Sequence, residues 1–139
     1  MPEPDPDRAA AVWRAMLALV HERHDRRKEV SEALDLSFVR IKALRRLAGS
    51  PMTMRELAAR LSTDAPYTTL VVDDLERRGL VRREPHPSDR RAKLVTATDL
   101  GLREARRAED ILAEPPPQMM TLTAEELDEL ARLLAKLES

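Results

Sequence analysis

Apolar residues follow a helical spacing near the N-terminal end of the chain. At about 100° per residue, one face holds Val12, Trp13, Met16, Leu17, Val20 and His24. This pattern predicts one long helix over residues 7–31, with Asp7 as its capping residue. Residues 1–6 are acidic and rich in proline, and we predict that they form a disordered tail.

Three more helices are predicted in the middle of the chain. The first covers residues 36–48 and ends at Gly49. Residues 53–56 (Thr-Met-Arg-Glu) form a capping box, which predicts the start of a short second helix. After a turn, Pro66 fits the first turn of the third helix, and Gly79 ends it.

A β-hairpin is predicted next. Its strands cover residues 80–84 and 92–97, and the loop between them is bounded by prolines and tipped with arginines. A fifth helix is predicted over residues 98–114, where Thr98 can cap it. Three prolines at 115–117 must interrupt that helix, because each removes a backbone donor.

The last helix opens with a second capping box at residues 123–126 (Thr-Ala-Glu-Glu). Its apolar stripe consists of Leu127, Leu130, Leu134 and Leu137. The first and last helices cannot hide their apolar faces on so small a body. The simplest way to bury both is to pack them against the same helices of a second copy, so we predict a homodimer.

Composition supports one mainly helical domain. The chain has 139 residues, of which 42% are hydrophobic but only 2% aromatic, so the core must be built from Leu, Val and Ala. The expected fold class is mainly α with a small β-hairpin wing. Cysteine is absent, which excludes disulfides and thiolate metal sites. No apolar run approaches the roughly 20 residues that span a membrane, and we expect a cytoplasmic protein.

Basic residues cluster around the hairpin, although the whole chain carries 24 basic and 25 acidic residues. Residues 76–93 hold seven basic and three acidic side chains. A helix pair followed by a basic hairpin is the plan of a winged helix-turn-helix, which grips duplex DNA. The predicted DNA-binding residues are Arg55, Tyr67, Thr68, Thr69, Arg77, Asp89, Arg90, Arg91 and Lys93. No catalytic constellation can be assembled, so we expect neither an enzyme nor a cofactor.

Asp89 has two interpretations at the tip of this hairpin. It could hold a neighbouring arginine in one rotamer through a bidentate pair, so that less entropy is lost on insertion into a minor groove. Alternatively, it caps the backbone of its own turn, as is common after Pro-Ser.

The order of these motifs resembles the multiple antibiotic resistance regulator (MarR) family. The resemblance rests on residues 57–61 (Leu-Ala-Ala-Arg-Leu), 72–81 and 89–95 (Asp-Arg-Arg-Ala-Lys-Leu-Val), followed by Thr98-Asp-Leu-Gly101. It implies a triangular homodimer, with DNA-binding region 34–114 and dimerisation helices 7–33 and 115–139. It also implies a pseudo-palindromic operator, repression, and release by a small aromatic or phenolic ligand.

The same resemblance implies roles for particular residues. The helix that begins at Pro66 would be the recognition helix, and Arg91 would enter the minor groove. Arg90 and Lys93 would hold phosphates. The family often has Arg where Leu70 stands here and a basic or polar residue where Asp74 stands.

That departure leaves a second function open. Residues 64–75 contain three acids and no base. Acids that face the groove would repel phosphates, although Asp73 and Asp74 could lie on the rear of the helix. The alternative is therefore a dimeric ligand-sensing or protein-binding module that kept the winged-helix scaffold and binds DNA weakly.

A candidate effector site lies where the first helix changes character. The face that carries Trp13 continues as His24 and Arg27, and an apolar stripe that turns cationic would suit an anionic aromatic ligand. The competing interpretations are a helix that leaves the core, or a His24 paired with a carboxylate. His21 and His24 could also share a metal, but two ligands are too few for a site.

Overall fold

The computed structural model describes all residues, 1–139, and confirms a mainly helical fold with a small antiparallel sheet. Its elements are, in order, α1 (Pro6–Leu17), a π-helical segment (Ala18–Arg23), α2 (Arg26–Leu34), α3 (Phe38–Gly49), β1 (Met52–Thr53), α4 (Met54–Leu61), α5 (Ala65–Arg77), β2 (Val81–Pro85), β3 (Lys93–Ala97), α6 (Asp99–Ala113), a 3₁₀ helix (Pro117–Thr121) and α7 (Ala124–Glu138).

The sheet has three strands in the order β1-β3-β2. The predicted hairpin is present, with Val81 opposite Ala97 and Pro85 opposite Lys93. The short β1 was not predicted; there Met52 pairs with Val95 on the far side of β3. Two residues carry no alternation pattern, so only the pairing itself reveals such a strand.

One hydrophobic core joins α2 through α6 and the sheet. Its largest fully buried side chains include Ile41, Leu44, Leu57 and Leu75. In contrast, α1, the π-helical segment, the 3₁₀ helix and α7 contain no buried residue. The terminal helices therefore lie outside the core of a single chain.

The prediction of one long helix over residues 7–31 is wrong, because the helix breaks at His24. That residue has φ −139° and ψ 53°, outside the helical region. Asp25 then caps α2, accepting a hydrogen bond from the Arg27 N–H at 2.9 Å. At the other end, Asp5 rather than Asp7 caps the first helix, since it accepts from the Asp7 N–H at 3.0 Å.

Both predicted capping boxes are present. Thr53 and Glu56 exchange side-chain and backbone hydrogen bonds at the start of α4, and Thr123 and Glu126 do the same for α7. Gly79 follows α5 with φ +73°, a left-handed conformation that glycine adopts without strain. These local signals fix where the two helices of the helix-turn-helix begin and end.

A short network locks the hairpin onto α6. The Thr98 hydroxyl donates to the Gly79 carbonyl at 2.6 Å and accepts from the Gly101 N–H at 3.1 Å. The Thr98 N–H also donates to the Leu80 carbonyl at 3.0 Å. Gly101 is buried against that carbonyl, and a Cβ there would lie 2.0 Å from the oxygen. The Thr-x-x-Gly motif thus sets the position of the hairpin relative to the helical core.

Candidate nucleic-acid interface

Helix α5 presents two distinct faces. One is packed in the core and consists of Thr68, Val71, Val72 and Leu75. The other is exposed and consists of Pro66, Tyr67, Thr69, Leu70 and Arg77. Only the second face is available to enter a groove of DNA.

The three hydroxyls predicted to contact DNA are not equivalent. Thr68 is fully buried and its hydroxyl donates to the Asp64 carbonyl at 2.8 Å, so the prediction that it contacts DNA is wrong. Thr69 is exposed, although its hydroxyl donates to the Ala65 carbonyl at 3.0 Å. Tyr67 is 38% exposed at the start of the helix.

Asp74 lies on the rear of α5 and is surrounded by arginines. It accepts from Arg40 of α3 at 2.8 Å and lies 3.2 and 3.3 Å from Arg77 and Arg78. The Asp74 side chain is only 19% exposed. Its charge is thereby neutralised within the chain and does not face a groove.

The other acids of this helix-turn-helix are also occupied. Arg83 of β2 pairs with Asp73 at 2.6 Å and with Glu76 at 2.8 Å. Asp64 caps α5 by accepting from the Tyr67 N–H at 2.7 Å. The acid-bearing helix therefore does not present a field of unpaired carboxylates.

This pairing also occupies some of the arginines. Arg78 donates to the Asp35 carbonyl at 2.6 Å besides its pair with Asp74. The Arg77 side chain remains 74% exposed despite its contact with Asp74, and Arg55 is exposed in the first turn of α4. Arg55 and Arg77 can thus reach a phosphate, whereas Arg78 serves the fold.

The hairpin tip carries three cations that are free of carboxylates. Arg90, Arg91 and Lys93 are all exposed, and the ion pairs of the hairpin involve only Arg82 and Arg83. These three side chains are the strongest unpaired positive group beside α5, and such groups bind phosphates.

Asp89 follows the second of its two interpretations. Its carboxylate accepts from the Arg91 N–H at 2.9 Å, and its carbonyl accepts from the Ala92 N–H at 3.2 Å. It forms no bidentate pair with an arginine, so that prediction is wrong. Asp89 shapes the turn and leaves the Arg91 guanidinium unattached.

Comparisons with known proteins agree with this geometry. Residues 37–93, which run from the start of α3 to the start of β3, match the model of the MarR family. The chain belongs to the MarR family. The resemblance inferred from the sequence motifs is confirmed.

Solved structures extend the match over the whole chain of this family member. Apo wild-type MarR from E. coli is 25% identical with a TM-score of 0.71, and the alignment covers 99% of this chain and 98% of that one. YusO from Bacillus subtilis is 23% identical with a TM-score of 0.71, covering 97% and 98%. MepR from S. aureus, solved as a DNA complex, is 21% identical with a TM-score of 0.63, covering 91% and 98%.

A second feature of this MarR-family chain is a cleft of about 470 Å³ beside the broken helix. Its walls come from the π-helical segment, the start of α2, the end of α6 and the prolines that follow. His24 and Arg27 line it as the sequence predicted, together with Phe38. Trp13 does not line it, but lies in another surface groove with Leu137.

Arg27 is not the free cation of this cleft. Its guanidinium donates to both oxygens of Asp25, at 2.9 and 2.8 Å. This hydrogen-bonded pair lowers the pKa of the Asp25 carboxyl to about 2 and raises the pKa of Arg27. A ligand anion would have to compete with Asp25 for the Arg27 guanidinium.

Arg26, which the sequence did not single out, is better placed. It pairs with Glu29 at 2.7 Å and reaches the Glu114 carbonyl at 3.4 Å, while its Nε atom is buried without a partner. The Nε2 atom of His24 is buried and unpaired as well. The break at His24 could not be anticipated from helical periodicity, so neither could this orientation of Arg26.

Two further observations concern other classes of site. The structure forms no group of three or more His, Asp or Glu side chains that could hold a metal ion. None of its helices combines the length and the apolar character that crossing a membrane requires.

Proposed function

We propose that the chain is a homodimeric transcriptional repressor that binds a pseudo-palindromic DNA operator. One observation carries the proposal: three free cations project from the wing beside a helix whose acids are all paired or used as caps. The arrangement presents positive charge where duplex DNA would approach, without opposing carboxylates. The DNA complex of the similar MepR supports the same mode of binding.

Each contact has a proposed role. Helix α5 enters the major groove with Tyr67 and Thr69 leading. Arg91 enters the adjacent minor groove, where negative potential attracts a guanidinium. Phosphates are held by Arg90 and Lys93 on the wing, with Arg55 and Arg77 as further contacts.

The terminal helices support the dimer. Val12, Trp13 and Val20 are each more than half exposed, and Leu137 is 74% exposed. Exposed apolar faces of this kind mark interfaces. We therefore assign residues 7–33 and 115–139 to dimerisation and residues 34–114 to DNA binding and its connecting helix.

The cleft beside α2 is the proposed effector site. A small organic anion fits it, because an acceptor oxygen would satisfy the buried His24 Nε2–H and Arg26 Nε–H, neither of which has a partner. Occupation would act on DNA affinity by changing the separation of the two recognition helices, which is a coupling between two sites.

The test of DNA binding uses a labelled duplex from the region upstream of the protein's own gene. Fluorescence anisotropy at several salt concentrations should show tight, sequence-selective binding. The triple variant Arg90→Ala/Arg91→Ala/Lys93→Ala should lower the salt slope by about three units per protomer, or nearly one per lost phosphate contact. Arg91→Ala alone should weaken binding by about 1–3 kcal/mol.

A matched control removes the same charge elsewhere. Lys42, Arg46 and Arg106 are exposed on α3 and α6. Lys42 and Arg46 lie on the side of α3 opposite Arg40, which faces α5. Replacing all three by Ala should leave the salt slope unchanged. Equal losses from both triple variants, or only weak and sequence-blind binding by the native chain, would favour the ligand-sensing alternative.

The dimer and effector proposals have their own measurements. Trp13 is the only tryptophan, so burial at the interface should shift its emission to shorter wavelength as protein concentration rises. Binding of phenolic or carboxylate compounds should raise the melting temperature and weaken DNA binding, and His24→Phe should abolish both effects. If no compound moves either quantity, the effector proposal fails.

A further inference from the structure

The groove-facing surface of α5 is apolar at its second turn. Leu70 is 59% exposed although four other α5 residues supply its contacts with the core. The neighbouring Thr69 hydroxyl is already bonded to the Ala65 carbonyl, so what it chiefly presents outward is a methyl group. Between the Asp64 cap and Asp73, no side chain of this face is charged or carries an amide.

Only one base offers an apolar group to such a surface. In the major groove, guanine presents two acceptors that call for Arg or Lys, and adenine presents a donor and an acceptor that call for Asn or Gln. Cytosine presents a donor. Thymine carries a C5-methyl group, which makes apolar contacts with small or aliphatic side chains.

We propose that Leu70, together with the Thr69 methyl group, reads the C5-methyl of thymine, so that each operator half-site requires thymine opposite the second turn of α5. This inference rests on the proposed function, because it names the base that the recognition helix selects. Guanine is disfavoured at the same position, since Leu70 would leave its acceptors without a donor.

A consequence separates methyl recognition from A·T preference. 5-Methylcytosine carries the same methyl group at the same edge of the major groove, within a G·C pair. A duplex with 5-methylcytosine at this position should therefore recover part of the affinity that unmodified cytosine loses. A protein that senses only groove width or deformability would not respond to this single methyl group.

The experiment begins with duplexes selected from a random 30-base-pair library by the full-length native chain. In the selected duplex, each thymine is then replaced singly by deoxyuridine, which removes only the methyl group. One symmetry-related pair of positions should lose affinity, by about fourfold per methyl group buried. Losing both methyl groups of the pair should cost roughly 15-fold.

Variants assign the effect to a side chain. Leu70→Ala should bind thymine and deoxyuridine duplexes equally at this position. Leu70→Arg should shift the selected base from thymine to guanine. Leu102→Ala on α6 is the control, because Leu102 is also an exposed leucine, at 40%, but lies away from α5. It should keep the full preference for thymine.

The outcomes distinguish this inference from the proposed function. Sequence-selective binding with no loss at any deoxyuridine position overturns the thymine reading alone. A deoxyuridine effect that persists in Leu70→Ala overturns the assignment to Leu70. Failure of the native chain to select any duplex overturns both proposals.

Discussion

Gly101→Ala offers a direct test of how the wing is positioned. Gly101 lies in the first turn of α6, where alanine would ordinarily be the better residue by about 1 kcal/mol. The added Cβ would lie 2.0 Å from the Leu80 carbonyl oxygen and 3.0 Å from its carbon. Both atoms belong to the backbone, so no side chain can rotate away to make room.

The magnitude follows from the distance that must be opened. The Leu80 carbonyl has to retreat by about 1 Å before the Cβ contact becomes acceptable. This carbonyl also accepts from the Thr98 N–H at 3.0 Å, so its movement lengthens that hydrogen bond. Overpacking costs about 1–3 kcal/mol, occasionally more. After the gain in helix propensity, we expect a net loss of about 2 kcal/mol in the free energy of unfolding.

Urea denaturation followed by circular dichroism measures this loss, with all variants at one protein concentration because dimerisation contributes to stability. Gly49→Ala is the matched control, since nothing lies within 4 Å of a Cβ built there. It should be neutral or stabilising by up to about 1 kcal/mol. DNA affinity should fall in Gly101→Ala as well, because β2 carries the wing.

Two results would refute this reasoning. If Gly101→Ala and Gly49→Ala have the same stability, the close approach of the Leu80 carbonyl does not constrain α6. If Gly101→Ala loses stability but its wing binds DNA with unchanged salt dependence, then the Thr98–Gly101 junction supports the fold without setting the wing.

Two further predictions concern ion pairs. Asp74→Asn should lower the free energy of unfolding by about 1.5–3 kcal/mol, because Arg40 is only 23% exposed and loses its charged partner; Glu129→Gln on the exposed face of α7 should cost less than about 1 kcal/mol in the same urea assay. Because folding lowers the pKa of Asp25 from 3.8 to about 2, its contribution to stability is complete above pH 3.8 and is lost as the pH falls towards 2. A carboxyl-carbon NMR titration should show a midpoint near 2 in the native chain and near 3.8 in Arg27→Gln.

Local signals made much of the fold predictable from the sequence. The capping boxes at Thr53 and Thr123, the stop at Gly79 and the Thr98 cap are each read within about four residues, and the structure has all of them. The wing strands were predicted to within one residue, because prolines and arginines separate two short β-branched runs. These features depend on backbone chemistry that neighbouring residues decide.

The break at His24 could not be predicted in the same way. Residues on both sides of it fit one helical stripe, and Asp25 is an ordinary surface residue in that pattern. The decision between continuing the helix and capping a new one depends on packing, since Val30 and Leu34 of α2 are buried while α1 has no buried residue. Periodicity alone does not reveal which part of a stripe meets the core.

Ion pairs between distant residues explain why the acids of α5 were hard to interpret. Asp74 is paired with Arg40, 34 residues earlier, and Asp73 with Arg83, 10 residues later. A count of charges along residues 64–75 finds only carboxylates, because their partners lie on α3 and β2. The same pairs hold the recognition helix against its neighbours, so these acids act on the position of the helix rather than on DNA.

This arrangement separates affinity from specificity within one small domain. The free positive charge lies on the wing at Arg90, Arg91 and Lys93, and phosphate contacts supply binding that is largely independent of sequence. The groove face of α5 carries Leu70 and Thr69, which add little affinity but can discriminate between bases. Substitutions on the wing should therefore weaken binding to all duplexes alike and lower its salt dependence. Substitutions at Leu70 should leave the salt dependence intact and change which duplex is preferred.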